Sequence, residues 1–193
     1  LSDFLAAVVE DFINTKRSNI EEELRCYREE RDLNRVLEWA AHAENDKGIR
    51  YAHQYRVRQS ALEDVKASLT PDVVEGVQHF DELYERVHWA IGYIERIGEL
   101  MVYDTCERIG AHLDIWPDKV YLHSGVREGA KYLGLTTTAM ALEKHVFPAV
   151  FQSLECYEIK NLLGLYKEAF KYGMFEVNDE KGRRVVRLEP LLT

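Results

Sequence analysis

Apolar residues recur every three or four positions through most of this chain, and only after Gly173 does the spacing drop to two. A period near 3.6 gathers side chains on one face of a helix, whereas a period of two alternates them across a strand. A chain patterned in this way must bury helix faces against one another, with strands confined to its end. Four Pro and eleven Gly in 193 residues leave few turns for a sheet-based architecture. The expected fold is therefore all-α: a single helical domain over residues 1–193, with a small β-hairpin at 174–188.

Phe4, Leu5, Val8, Val9, Phe12 and Ile13 outline a first helix opened by Ser2. Ser18-Asn19-Ile20-Glu21 and Ser60-Ala61-Leu62-Glu63 read as capping boxes, each with a Ser oxygen for an orphan N–H and a Glu reaching back. Asp32 restarts a helix carrying Leu33, Val36 and Leu37, and Gly48 suits a left-handed helix end. Thr70-Pro71-Asp72 begins a short helical turn, because Pro is tolerated at the first helical position. Phe80, Leu83, Tyr84, Val87, Ile91 and Ile94 predict an amphipathic helix, Gly98 breaks it, and Val102, Cys106, Ile109 and Leu113 continue on a second. Further helices are predicted from Ser124 to Gly134, from Thr137 to His145, and from Ile159 through Phe170. Met174–Val177 and Arg183–Leu188 flank a Gly-containing loop and predict the hairpin.

Composition narrows the function classes. Apolar residues make up 46% and charged residues 31%, ordinary for a folded domain. No run approaches the roughly 20 apolar residues of a membrane span, so no membrane partner is expected. Leu1-Ser2-Asp3 is not a basic region leading into an apolar run, so no secretory signal is expected. Cys26, Cys106 and Cys156 are odd in number and isolated, which predicts free thiols and a reducing, cytoplasmic setting. The seven His are scattered without zinc spacing, and no phosphate-binding glycine fingerprint occurs, so neither metal nor cofactor is expected. A formal charge of −9 disfavours tight nonspecific DNA binding, because phosphate contacts supply most of that affinity.

Two segments carry hypotheses. In residues 49–59, Arg50, Arg56 and Arg58 interleave with Tyr51, His53 and Tyr55, a mixture able to stack bases and pair phosphates. Its structural alternative is a connector that lays rings on the core. The second is Ile94-Glu95-Arg96-Ile97-Gly98-Glu99-Leu100-Met101-Val102, between two amphipathic helices. A helix-hairpin-helix has the form apolar-x-Gly-apolar-Gly-x-x-small-apolar here. Its tight turn presents backbone N–H groups and a helix N-terminus to one phosphate, with Gly where φ is positive. Ile94, Ile97, Gly98 and Val102 fit, while Arg96 occupies the first Gly position.

The run from Ile97 to Ala111, with Pro117-Asp118-Lys119-Val120-Tyr121-Leu122-His123-Ser124-Gly125, resembles uncharacterised bacterial proteins whose fold is similar to the 8-oxoguanine DNA glycosylases. The resemblance spans roughly residues 80–170 and implies a DNA-binding hairpin. It places Arg96, Ile97, Gly98, Glu99, Leu100, Lys119 and Arg127 at the DNA. Bifunctional members carry a nucleophilic Lys two positions after the second hairpin Gly, where this chain has Leu100, and Leu100 cannot form a Schiff base. The family's catalytic Asp falls nearest to His123, and neither Lys119 nor Lys131 occupies the nucleophile's place. Catalytic candidates are therefore limited to His123 and to Asp104, the latter alternatively a residue of a solvated helix face.

Two functions from different classes follow. One is a glycosylase-fold protein that binds DNA or a modified base, weakly and salt-sensitively, with altered or absent catalysis. The other is an acidic scaffold that binds another protein. A basic face gathering Arg50, Arg56, Arg58, Arg96 and Arg127 favours the first; their dispersal, with carboxylates around Gly98, favours the second.

Overall fold

The computed structural model describes residues 1–179 and 182–187 of the chain. Among them are ten α-helices: α1 (Ser2–Thr15), α2 (Arg17–Glu29), α3 (Leu33–His42), α4 (Gln59–Ser68), α5 (Pro71–Val74), α6 (Phe80–Ile91), α7 (Glu99–Leu113), α8 (Ser124–Tyr132), α9 (Cys156–Leu165) and α10 (Lys167–Tyr172). Four short strands join them: β1 (Lys119–Tyr121), β2 (Ala141–Glu143), β3 (Met174–Asp179) and β4 (Gly182–Arg187). The fold is thus mainly helical with a C-terminal antiparallel hairpin, as the periodicity predicts. No described helix is long and apolar enough to cross a membrane.

The chain forms two compact units, residues 20–117 and residues 1–19 with 118–193. In the continuous unit, α3 packs on α4 and α7, and α6 packs on α7. Val36, Leu37, Leu62, Val65, Leu83, Val87, Ile91 and Ile109 are buried there. Each such aliphatic side chain stabilises the fold by about 1.5–3 kcal/mol on burial. In the other unit α8 packs on α9 and α10, and α9 packs on β1. Phe4 and Tyr166 set their rings edge-on to Phe175 of β3, at 5.7 and 5.9 Å between centroids.

Several local expectations are corrected. Ser18 and Ser60 lie inside helices that begin at Arg17 and Gln59, so neither caps. The capping box is instead at α9, where Glu158 accepts the Glu155 N–H at 2.8 Å and Glu155 accepts from the backbone of Glu158. Glu158 also receives Arg17 Nε at 2.6 Å and Nη2 at 3.1 Å. The left-handed end of α3 is Ala43, φ 54°, while Gly48 takes its positive φ in the turn beyond, between the bridged residues Glu44 and Arg50. Residues 137–145 are not a helix. Ala141–Glu143 pairs antiparallel with Lys119–Tyr121, and Lys144–Val146 forms a 3-10 turn. Thr136, Thr137 and Thr138 are β-branched and poor helix formers, and the ladder to β1 overrides the apolar spacing. The predicted final helix is broken at Tyr166 into α9 and α10. The hairpin pairs Met174 with Arg187 through Asp179 with Gly182, putting Val185 and Val186 in a strand; Leu188 lies outside the described residues.

Candidate functional site

The corner between α6 and α7 differs from the predicted turn. Helix α6 stops at Ile91, and residues 92–98 form the connector. Ile94 and Ile97 are buried and pin it, while Tyr93, Glu95, Arg96, Gly98 and Glu99 face solvent. The positive φ belongs to Arg96, at 74°, the position where the motif has its first Gly. Gly98 is extended, with φ −102° and ψ 177°, and an added Cβ would meet nothing within 4 Å. It is the N-cap of α7, and no side chain caps that end. Glu99 in the first turn is favoured by the helix dipole. Arg96 Nε lies 3.4 Å from Glu95 on the open surface. Leu100 is half-buried and brings no amine to the corner.

Helix α7 is unusual beyond its first turn. Every residue from Met101 to Ala111 is buried, including Asp104, Thr105, Glu107 and Arg108. A helix buried on all sides is normally apolar throughout, and buried ionisable groups cluster where chemistry or binding requires them. Asp104 is 5% exposed, so of its two readings the solvated helix face does not hold: the carboxylate is buried. Its Oδ2 accepts from Gln54 Nε2 at 2.8 Å and lies 3.0 Å from His53 Nε2. Both partners come from the 3-10 turn Ala52–Gln54. That turn alternates its side chains: Tyr51 and Gln54 go inward, whereas His53, Tyr55, Arg56 and Arg58 remain exposed.

Tyr51 organises the inner side of this cluster. Its hydroxyl donates to the Glu23 carbonyl at 3.1 Å, its ring stacks near His53 with centroids 6.2 Å apart, and the Arg108 guanidinium carbon stands 4.7 Å over it. Tyr27 donates its hydroxyl to the Glu44 carbonyl at 2.5 Å. Burial pushes both phenols well above their ordinary pKa, so they act as neutral donors. The imidazole of His53, by contrast, has a side chain 43% exposed. Its Nε2 faces the carboxylate, so Nδ1 is the ring nitrogen outside that contact. An imidazole oriented by a buried carboxylate can exchange protons with a bound group.

The remaining predicted residues lie in the other unit. His123 is the buried N-cap residue of α8, and its side chain does not cap that helix. Lys119 is half-buried on β1. Arg127 donates through Nη1 to the Thr137 and Ala139 carbonyls at 2.6 and 2.9 Å, and through Nη2 to Leu122 at 2.5 Å. It ties the loop after α8 to the strand end. Arg50 is similarly engaged by the Val57 carbonyl and Gln59; Arg56, Arg58 and Arg96 are exposed.

Asp104 was legible as a candidate from the sequence, and His53 only as part of the basic, aromatic run 49–59. Their partnership across 51 positions, and the burial of Arg108, had no local signal. Comparison of the chain with known protein families, curated proteins and solved structures returned no match to any of them.

Proposed function

We propose that this protein binds DNA or a modified base at the α6–α7 corner, with altered or absent glycosylase-type catalysis. The observation that carries the reading is the exposed, uncapped start of α7 behind a connector pinned by Ile94 and Ile97. Backbone N–H groups at such an end suit a phosphate, and Arg96 stands beside them. Leu100 supplies no amine, so Schiff-base lyase chemistry is absent, and borohydride trapping on oxidised-base DNA yields no covalent adduct. An adduct mapped to Lys119 or Lys131 would instead show a relocated nucleophile.

The binding test is titration of labelled duplex and single-stranded DNA at low and physiological salt. Affinity is weak and falls as salt rises. Glu99→Gln strengthens it by removing a carboxylate that competes for the helix end. Arg96→Ala weakens it by about 1 kcal/mol, the scale of one charge-assisted contact. No binding at low salt, or no response to Glu99→Gln, refutes the DNA reading.

A protein-docking scaffold is the second reading, favoured by Trp89 and Tyr93, which are 82% and 74% exposed at the end of α6 and in the connector. Exposed aromatic side chains with two rigid torsions are common anchors of interfaces. Under this reading the chain shows no DNA affinity even at low salt, and Trp89→Ser removes partner binding.

A further inference from the structure

Asp and Glu number 34 in 193 residues, yet none falls between Asp46 and Glu63. That stretch, the longest in the chain without a carboxylate side chain, holds Lys47, Arg50, Arg56 and Arg58. The fold sorts its side chains. Tyr51 and Gln54 are buried, held by the Glu23 carbonyl at 3.1 Å and by Asp104 at 2.8 Å. Arg50 donates to the Val57 carbonyl at 3.3 Å and to Gln59. Tyr55, Arg56 and Arg58 are left on the surface, the Tyr55 ring 62% exposed.

None of these three side chains has a hydrogen bond, ion pair or ring contact among the described residues. Elsewhere in the same unit Arg25, Arg35 and Arg86 pair with Glu22, Glu30 and Glu82. Glu63, the next carboxylate along the chain, is engaged instead by Gln59 at 2.7 Å and His42 at 3.3 Å. Helix α4 begins directly after Arg58, with no side-chain cap and no acidic residue in its first turn. Its dipole therefore adds to the positive field of the arginines. An open aromatic face beside two unpaired guanidinium groups, on a turn anchored by Tyr51 and Gln54, is preorganised, so little ordering cost opposes binding there.

We propose that the turn at residues 52–58, with the start of α4, is a contact surface for an unpaired nucleic-acid strand. Tyr55 offers a stacking face to a base, and Arg56 and Arg58 pair with the backbone phosphates. Charge complementarity selects a polyanion, since this is where a chain of net charge −9 is locally positive. The ring selects an unpaired strand. In a duplex the faces of each base are covered by neighbouring bases, whereas a single strand can turn one onto an aromatic side chain. The surface stands apart from the α6–α7 corner and does not depend on it: Glu99 occupies the first turn of α7, and no carboxylate occupies that of α4.

The test is fluorescence anisotropy of the full chain with labelled oligothymidylate, oligouridylate and an abasic deoxyribose strand of the same length, at low salt. Thymidylate or uridylate binds about 5- to 150-fold more tightly than the abasic strand, the worth of one stacked base. Whichever of the two binds better identifies the strand as DNA or RNA, and either supports the surface. Tyr55→Ser abolishes the preference over the abasic strand and leaves the affinity for a thymidylate–adenylate duplex unchanged. Arg56→Gln combined with Arg58→Gln weakens binding of every strand. It also lowers the slope of log affinity against log salt by about 1.4, at about 0.7 per phosphate contact. These side chains are exposed and make no internal contact, so each variant keeps the parent Tm. Equal affinity for the thymidylate, uridylate and abasic strands overturns the proposal. So do an equal loss on the duplex with Tyr55→Ser, parent-like binding by either variant, and absence of binding at low salt. Glu99→Gln acts through the corner only and leaves the preference over the abasic strand intact. The corner therefore fails where Glu99→Gln has no effect, and this turn fails where Tyr55→Ser has none.

Discussion

Two glycines on α8 have opposite predicted responses to the same change. A methyl at Gly129 would stand 2.3 Å from the Leu163 carbonyl oxygen and 2.9 Å from its carbon, both backbone atoms of α9. A methyl at Gly125 meets nothing within 4 Å. Replacing Gly by Ala inside a helix is worth about 1 kcal/mol from backbone entropy and propensity. At Gly125, in the first turn, up to that amount is realised. At Gly129 the α8–α9 crossing must open by about 1 Å before the contact becomes ordinary. The rigid carbonyl cannot rotate aside as a side chain would. Overpacking of this severity costs about 3 kcal/mol, which leaves Gly129→Ala about 2 kcal/mol less stable after the propensity gain. For a chain of this length 1 kcal/mol moves Tm by about 2–4 °C. Gly129→Ala therefore melts about 4–8 °C lower and Gly125→Ala up to about 4 °C higher, followed by far-UV circular dichroism with urea midpoints as a second measure. Equal stabilisation by both substitutions would refute close backbone approach as the reason for Gly129.

Gly98→Ala is expected to change stability by less than about 0.5 kcal/mol, because a slightly poorer N-cap is offset by lower unfolded-chain entropy; a loss above 2 kcal/mol in urea unfolding would mean that the turn does require Gly there. Asp104→Ala leaves the Gln54 amide without its buried acceptor and lowers stability by about 1–3 kcal/mol, so an unchanged urea midpoint would count against the Asp104–Gln54 contact. Burial holds the Cys156 thiol up at about 11 and that of Cys106 well above the ordinary value. A thiol reagent at pH 8 accordingly labels Cys26, which is partly exposed, in the native protein and all three cysteines in denaturant; rapid native labelling of Cys106 is the contrary result. These thiols and the phenols of Tyr27, Tyr51 and Tyr166 have raised pKa values in the folded chain. The unfolded chain releases their protons first, so their contribution is complete below the unfolded thiol value of 9.0 and declines as pH rises beyond it. Tm measured from pH 7 to 11 should fall above about pH 9, and a flat profile there would contradict the burial of these groups.

The sequence alone determined most helices and the hairpin. Local periodicity is a property of neighbouring residues: Phe80 to Ile91 and Val102 to Leu113 carry their own helical faces, and the spacing of two after Gly173 carries its own strands. Tertiary structure decided the places where a local pattern met a distant partner. Ser18 and Ser60 look like caps, but whether an oxygen caps depends on where the helix begins, and both helices begin earlier. Residues 137–145 have apolar spacing compatible with a helix, yet Lys119–Tyr121 draws Ala141–Glu143 into a ladder. At the candidate site, Asp104 and the aromatic, basic run 49–59 were legible one by one. Their union was not, because the hydrogen bonds from His53 and Gln54 span about half a hundred positions and leave no periodic trace. The same holds for Arg108 and Arg127. In sequence each is one more arginine on an amphipathic helix; the packed fold buries one over Tyr51 and fastens the other to three carbonyls. Charge is written in the chain, but its desolvation and its partners are set only when distant elements close around it.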